Sequence, residues 1–227
     1  MNTNENFKDS NSKIFLGLGL AVSLAALFVL SISLYAYLAK VEDPFAQLDL
    51  GFAIFVVFYT LIGAFLVLRL GIIKLGGLSL EQIGWRVDNL KLDVLYGVAG
   101  AAVAVGIVYL LGLIFGTWDE QQFIGEEMKF SFSNRIVFLL IGLNAGLIEE
   151  SLFRGFLQPT AIQKFGFVFG LFFTSFIFAA YHLKFQLPIF IGKFALGIIF
   201  GLSRGRDRSL IRPGLAHALL WACVGTL

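Results

Sequence analysis

Apolar residues fall into seven blocks along the chain, approximately 14–38, 50–73, 92–116, 134–158, 165–185, 188–203 and 210–227. Between them lie short stretches rich in charge and turn residues: Glu42-Asp43-Pro44, Gly76 to Asp93, the acidic run Thr117 to Lys129, Gln158-Pro159, Pro188, and Arg204 to Pro213. A helix needs about 20 apolar residues to cross a bilayer, and most of these blocks are of that order. The first block is too long for the h-region of a cleaved signal peptide and reads as a first transmembrane helix or signal anchor. The stretch from Gly76 to Asp93 mixes polar and apolar residues around Trp85 and is expected to lie along the interface. The last block is short; from Pro213 to the end it needs tilt, or a start near Ser209, to span. The predicted fold class is all-α, a polytopic transmembrane helix bundle of about seven (six to eight) spans.

Composition points the same way. Of 227 residues, 58% are hydrophobic and 14% charged, with a mean hydropathy of +0.87. A soluble domain of this size needs more polar surface than that. The net charge of +2 gives no footprint for nucleic acid, so the expected partners are the lipid bilayer and a membrane-associated peptide or protein. With a cytoplasmic N-terminus, twelve of the 17 lysines and arginines fall on the inner side. That is the direction of the positive-inside bias, and it predicts a multi-pass protein of the cell (plasma) membrane. Cys223, the single cysteine, reads as a small apolar residue of the last helix. Glycines four apart, at Gly142/Gly146, Gly166/Gly170 and Gly197/Gly201, are expected to let helix backbones approach closely.

A few ionisable residues break the apolar pattern. Block four contains Glu149, Glu150 and Arg154, and a charge at mid-membrane costs on the order of 2.5–3.5 kcal/mol. Glu150 and Arg154 are four residues apart and are expected to pair, whereas Glu149 points about 100° away and has no partner on its own helix. Two carboxylates in unequal environments are one way to obtain a general base that works near neutral pH. The chain's two histidines, His182 and His217, also lie in apolar blocks. Polar groups in lipid face one another or a water-filled cavity, so these residues are expected to converge on one site.

Two chemistries fit that set. Glu149, His182 and His217 could bind a divalent metal such as zinc with a position left for water. Alternatively, with no cofactor, Glu149 and His182 activate a water while His217 helps to hold an oxyanion. The HExxH motif of ordinary zinc proteases is missing.

The ordered set Glu149-Glu150-x-x-x-Arg154, Phe178-x-x-x-His182 and His217 resembles the three-motif signature of the CPBP family, the CAAX-processing and bacteriocin-processing (Abi) intramembrane peptidases. The resemblance covers roughly residues 134–227. It implies a helical bundle whose cavity holds both glutamates and both histidines. In it Glu149 would be the catalytic carboxylate acting with His182, Glu150 and Arg154 would support it, and His217 would assist at the oxyanion. Members are commonly described as metalloproteases, and both chemistries stay open here. One departure is that the third motif usually reads His-x-x-x-Asn, and this chain has Trp221 in the asparagine's place; an indole N–H cannot imitate a carboxamide in size or reach.

The expected organisation is a short cytoplasmic tail (1–13), N-terminal transmembrane helices and loops (14–133), and a CPBP-like catalytic helix core (134–227). The leading function is an intramembrane endopeptidase. The alternatives are a catalytically weak or inactive scaffold or immunity factor on the same fold, and a proton-coupled transporter. With block four ending near residue 158, Glu149 and His182 stand at different depths, so a shared site requires strong tilt or displaced helix ends.

Overall fold

The computed structural model describes residues 3–42, 50–115, 132–205 and 209–224, and among them every regular element is helical. The acidic run Thr117 to Lys129 lies outside the described residues. The elements are α1 (Thr3–Ala39), α2 (Leu50–Ala64) continuing into wide π-helical turns over Phe65–Leu75, the short α3 (Leu80–Ile83) and α4 (Leu90–Phe115). Then come α5 (Phe132–Asn144), π-helical stretches at Ala145–Glu149 and Ser151–Leu157, α6 (Gln158–Phe165), α7 (Phe167–Tyr181), α8 (Leu187–Ser203) and α9 (Ile211–Val224). Each apolar block of the sequence thus has its helix. Ser10–Ala39, Gly51–Leu75 and Leu90–Phe115 are long and apolar enough to cross a membrane, and α7 and α8 are shorter apolar helices. The chain is an all-helical membrane bundle.

Side-chain exposure follows from that environment. Large apolar groups such as Val22, Leu61 and Phe169 stand 61–75% exposed on the bundle's outer surface, where lipid rather than water would meet them. The buried core instead centres on the π-helical stretches, where Ile148, Leu152, Phe156 and Leu157 pack with Leu24 of α1, Phe178 of α7, Phe200 of α8 and Leu220 of α9. Small residues bring α9 against α5: a Cβ at Gly142 would lie 2.7 Å from the Ala218 carbonyl oxygen, and one at Gly146 would lie 2.5 Å from that of Gly214. Gly197 presses on Ser175 in the same way, joining α8 to α7.

One sequence expectation changes. Gln158-Pro159 does not end the fourth helix, which runs on to Phe165. Pro159 falls at the start of α6, and the Gln158 side chain donates Nε2–H to the Gly201 carbonyl across 3.1 Å, so its polarity is absorbed inside the bundle. The chain turns at Gly166 instead, at φ +81, a conformation that glycine adopts without a Cβ penalty. The Gly76–Asp93 stretch is pinned to the bundle by side-chain and backbone hydrogen bonds. Ser79 and Gln82 form a capping box that starts α3, and the chain then delivers Trp85 Nε1–H to Ser151 Oγ at 2.7 Å. Leu210 N–H also donates to the Gly84 carbonyl.

Candidate active site

Glu149 and Glu150 sit where the two π-helical stretches meet. The N–H of Glu150 reaches back five residues to the Ala145 carbonyl, a wide turn of the kind that recurs at functional sites. Glu150 and Arg154 are 0% and 2% exposed, so they are enclosed by protein and do not reach water at a helix end. Arg154 Nη1 donates to Glu150 Oε1 at 3.0 Å, its Nη2 donates to the Gly197 carbonyl at 3.2 Å, and its guanidinium lies 4.1 Å from the Phe178 ring centroid. Glu150 Oε1 also accepts from Nδ1 of His217 at 2.8 Å. The His217 ring is stacked on Phe200, with centroids 4.6 Å apart. One carboxylate therefore ties α9 to the π-helical segment, and through Arg154 to α8.

Glu149 makes a second, separate contact. Its Oε2 lies 3.9 Å from Nε2 of His182 and has no hydrogen-bond partner, although the atom is buried. His182 Nδ1 donates to the Phe178 carbonyl at 2.7 Å. A carbonyl only accepts, so the hydrogen of a neutral His182 is on Nδ1, and Nε2 faces Glu149 as an acceptor. Glu149 and His182 lie within reach because of chain length: Glu149 comes 17 residues before Gly166 and His182 follows it by 16. The depth mismatch expected from the sequence disappears once α6 is counted as part of the fourth helix.

Thus the structure sorts the five sequence candidates into a trio, Glu150 with His217 and Arg154, and a pair, Glu149 with His182. The trio Glu149, His182 and His217, weighed from the sequence as metal ligands, is not gathered around one point as a ligand set. Among the described residues no three His, Cys, Asp or Glu side chains are arranged to hold a metal ion. The donor set does not fit a three-ligand zinc centre.

Two groups escaped the sequence reading. Lys193 sits in α8 within electrostatic reach of Glu149 and His182, with Nζ 5.5 Å from the Trp221 ring centroid. The signal was available, since Lys193 is the seventh residue of an apolar helix. Tyr181 of α7 and Tyr59 of α2 both lie within electrostatic reach of Glu149, so α2 also borders the site. Trp221 stacks on Phe138 and is half-buried. Asn144 is buried with Oδ1 unpartnered.

Fold and site together define a polytopic helical membrane protein with carboxylates, histidines and cations enclosed among its C-terminal helices. Residues 131–223 match the family model described as Rce1-like, type II CAAX prenyl endopeptidase Rce1-like. That model is one of the CPBP family, the family that the motifs of this segment resemble. No curated protein and no solved structure matches the chain.

Proposed function

We propose that this protein is an intramembrane endopeptidase of the CPBP type, hydrolysing a peptide bond in a membrane-associated substrate with a water activated by Glu149 and His182. The observation that carries the reading is the unpartnered, buried Oε2 of Glu149 facing the acceptor nitrogen of His182 at 3.9 Å. That separation is too long for a direct hydrogen bond and suits one bridged by water. A water about 2.8 Å from both atoms would subtend about 90° at its oxygen, so its two hydrogens can point at the two acceptors.

In the reaction, the water oxygen bonds to the peptide carbonyl carbon and its proton passes to the Glu149–His182 pair. The carbonyl electron pair moves on to oxygen. Collapse re-forms the C=O, breaks the C–N bond and returns the proton to the departing amine. His217 already uses Nδ1–H on Glu150; donating to the oxyanion from Nε2 as well requires the imidazolium, whose charge Glu150 would balance. Glu150 and Arg154 act through position, fixing α8 and α9 around the pair. No step passes through a metal.

On this reading residues 134–227 are the catalytic core, residues 14–133 the supporting helices, and residues 1–13 a tail on the cytoplasmic side of the cell membrane. The test is cleavage of an internally quenched, prenylated CAAX peptide by the protein in proteoliposomes, with Glu149→Gln and His182→Ala as variants. Loss of turnover in both, at unchanged thermal stability, supports the reading. Two folded variants that cleave at the wild-type rate would refute it. A second reading, a non-catalytic scaffold on the same fold, is favoured by Trp221, whose ring packs on Phe138 where a carboxamide donor would serve catalysis.

A further inference from the structure

Lys193 is an intramembrane cation that the Glu149–His182 chemistry leaves unused. It is the seventh residue of α8, a helix that is otherwise apolar until its last turn. Such a charge in a membrane helix is by default a functional group and faces the bundle interior. The register of α8 says which interior. Lys193, Gly197 and Phe200 recur at helical spacing and share one face. The Gly197 carbonyl on that face receives Arg154, and Phe200 stacks on His217. Lys193 therefore extends the wall that already carries the buried centre, one turn toward the start of α8.

Across from it, α9 repeats the pattern. His217 meets the Phe200 layer, and Trp221, one turn further along α9, meets Lys193 with its ring 5.5 Å from Nζ. The ring cannot neutralise the ammonium, and among the described residues no carboxylate lies within 4.0 Å of it. Glu149 and His182 feel its charge. A cation held beside the water-activating pair without an ion-pair partner is suited to an anion that exists only during the reaction.

Building on the peptidase reading above, we infer that Lys193 is a further catalytic residue: its ammonium, steered by the face of Trp221, donates to the oxyanion formed when the Glu149–His182 water attacks the peptide carbonyl. The cation–π contact fixes the direction of a long, flexible side chain. The three ammonium hydrogens then supply the donor that the indole at position 221 cannot aim. The charge strengthens as the carbonyl oxygen becomes anionic, so the interaction favours the transition state over the bound substrate.

The test uses the full-length protein in proteoliposomes with the quenched prenylated CAAX peptide, comparing wild type, Lys193→Met, Lys193→Arg and Glu149→Gln. A phosphinate analogue of the peptide, carrying an anionic tetrahedral centre in place of the scissile bond, is titrated as inhibitor. Lys193→Met is expected to lower kcat about 10²–10³-fold with KM changed less than about threefold. It should weaken phosphinate binding by a comparable factor, while Lys193→Arg keeps most of both. Removing a charge from an apolar helix should leave thermal stability equal or higher, which separates a chemical loss from an unfolded variant. If Lys193→Met keeps wild-type kcat, or loses only KM, the oxyanion role is overturned; the second pattern would show a cation that binds an anionic group of the ground state. If Glu149→Gln turns over at the wild-type rate, the peptidase reading fails and the role of Lys193 with it. An inactive Glu149→Gln beside a fully active Lys193→Met removes only the latter.

Discussion

Nδ1 of His217 donates to Oε1 of Glu150 across 2.8 Å, and the same oxygen accepts from Arg154 at 3.0 Å. A single buried oxygen thus holds two helices and one guanidinium. Truncating Glu150 to alanine leaves Arg154 buried without its carboxylate, a change that costs about 3–5 kcal/mol in comparable pairs. Glu150→Gln keeps an accepting oxygen of the same reach and should lose less. Thermal unfolding in detergent is expected to rank wild type above Glu150→Gln, and Glu150→Gln well above Glu150→Ala. Equal melting of Glu150→Ala and wild type would mean that this pairing carries no structural weight.

Glu149 should behave in the opposite way. Its Oε2 has no partner to lose, so Glu149→Gln should melt like wild type while peptide turnover falls about 10²–10⁴-fold. His182→Ala should fall by a similar factor. Groups that act as one unit are strongly non-additive, so the double variant should be little slower than either single one. Multiplying losses in a rate assay would show that the two residues act independently.

The close approach of α5 and α9 gives a third test. Gly146→Ala would place a Cβ 2.5 Å from the Gly214 carbonyl oxygen, which is backbone and cannot turn aside. The helices must separate, carrying His217 away from Glu150, so both stability and turnover should drop. At Gly106, where an added Cβ meets nothing within 4 Å, the same change should be neutral or raise stability by about 0.5–1 kcal/mol through helix propensity. Melting curves of the two variants side by side decide it; indistinguishable curves would exclude tight packing at Gly146.

A further ion pair lies away from the site. Arg212 Nε donates to Asp93 Oδ1 at 2.8 Å, joining the start of α9 to the start of α4, and both side chains are buried. Asp93→Ala is expected to destabilise the fold by about 3–5 kcal/mol. Adding Arg212→Met should recover part of that loss, because the arginine then no longer has to be buried beside an apolar residue. Detergent unfolding of the single and double variants measures the coupling, and a double variant less stable than Asp93→Ala would contradict it.

How much of this was legible in the sequence differs from residue to residue. The bundle was, because a bilayer demands long apolar helices and the blocks carry that length directly. The resemblance to the family was too, since Glu149, Glu150, Arg154, His182 and His217 are chemical exceptions in an apolar text. The end of the fourth helix was not. Gln158 and Pro159 look like a break until Gly201 is known to accept from the glutamine, a contact 43 residues distant in the chain. The assignment of His217 to Glu150 rather than Glu149 was hidden for the same reason, since it depends on wide helical turns that no local propensity announces. Lys193 was legible in principle as a charge inside an apolar block, but that its neighbour in space is Trp221 depends on how α8 and α9 pack.

The hairpin turning at Gly166 works as a ruler. Because Glu149 and His182 are set at nearly equal path lengths from the same turn, a rocking or sinking of that hairpin moves both by the same amount. Bilayers of different thickness would then alter how far a substrate must descend to reach the pair, and leave the spacing between its two members as the chain sets it.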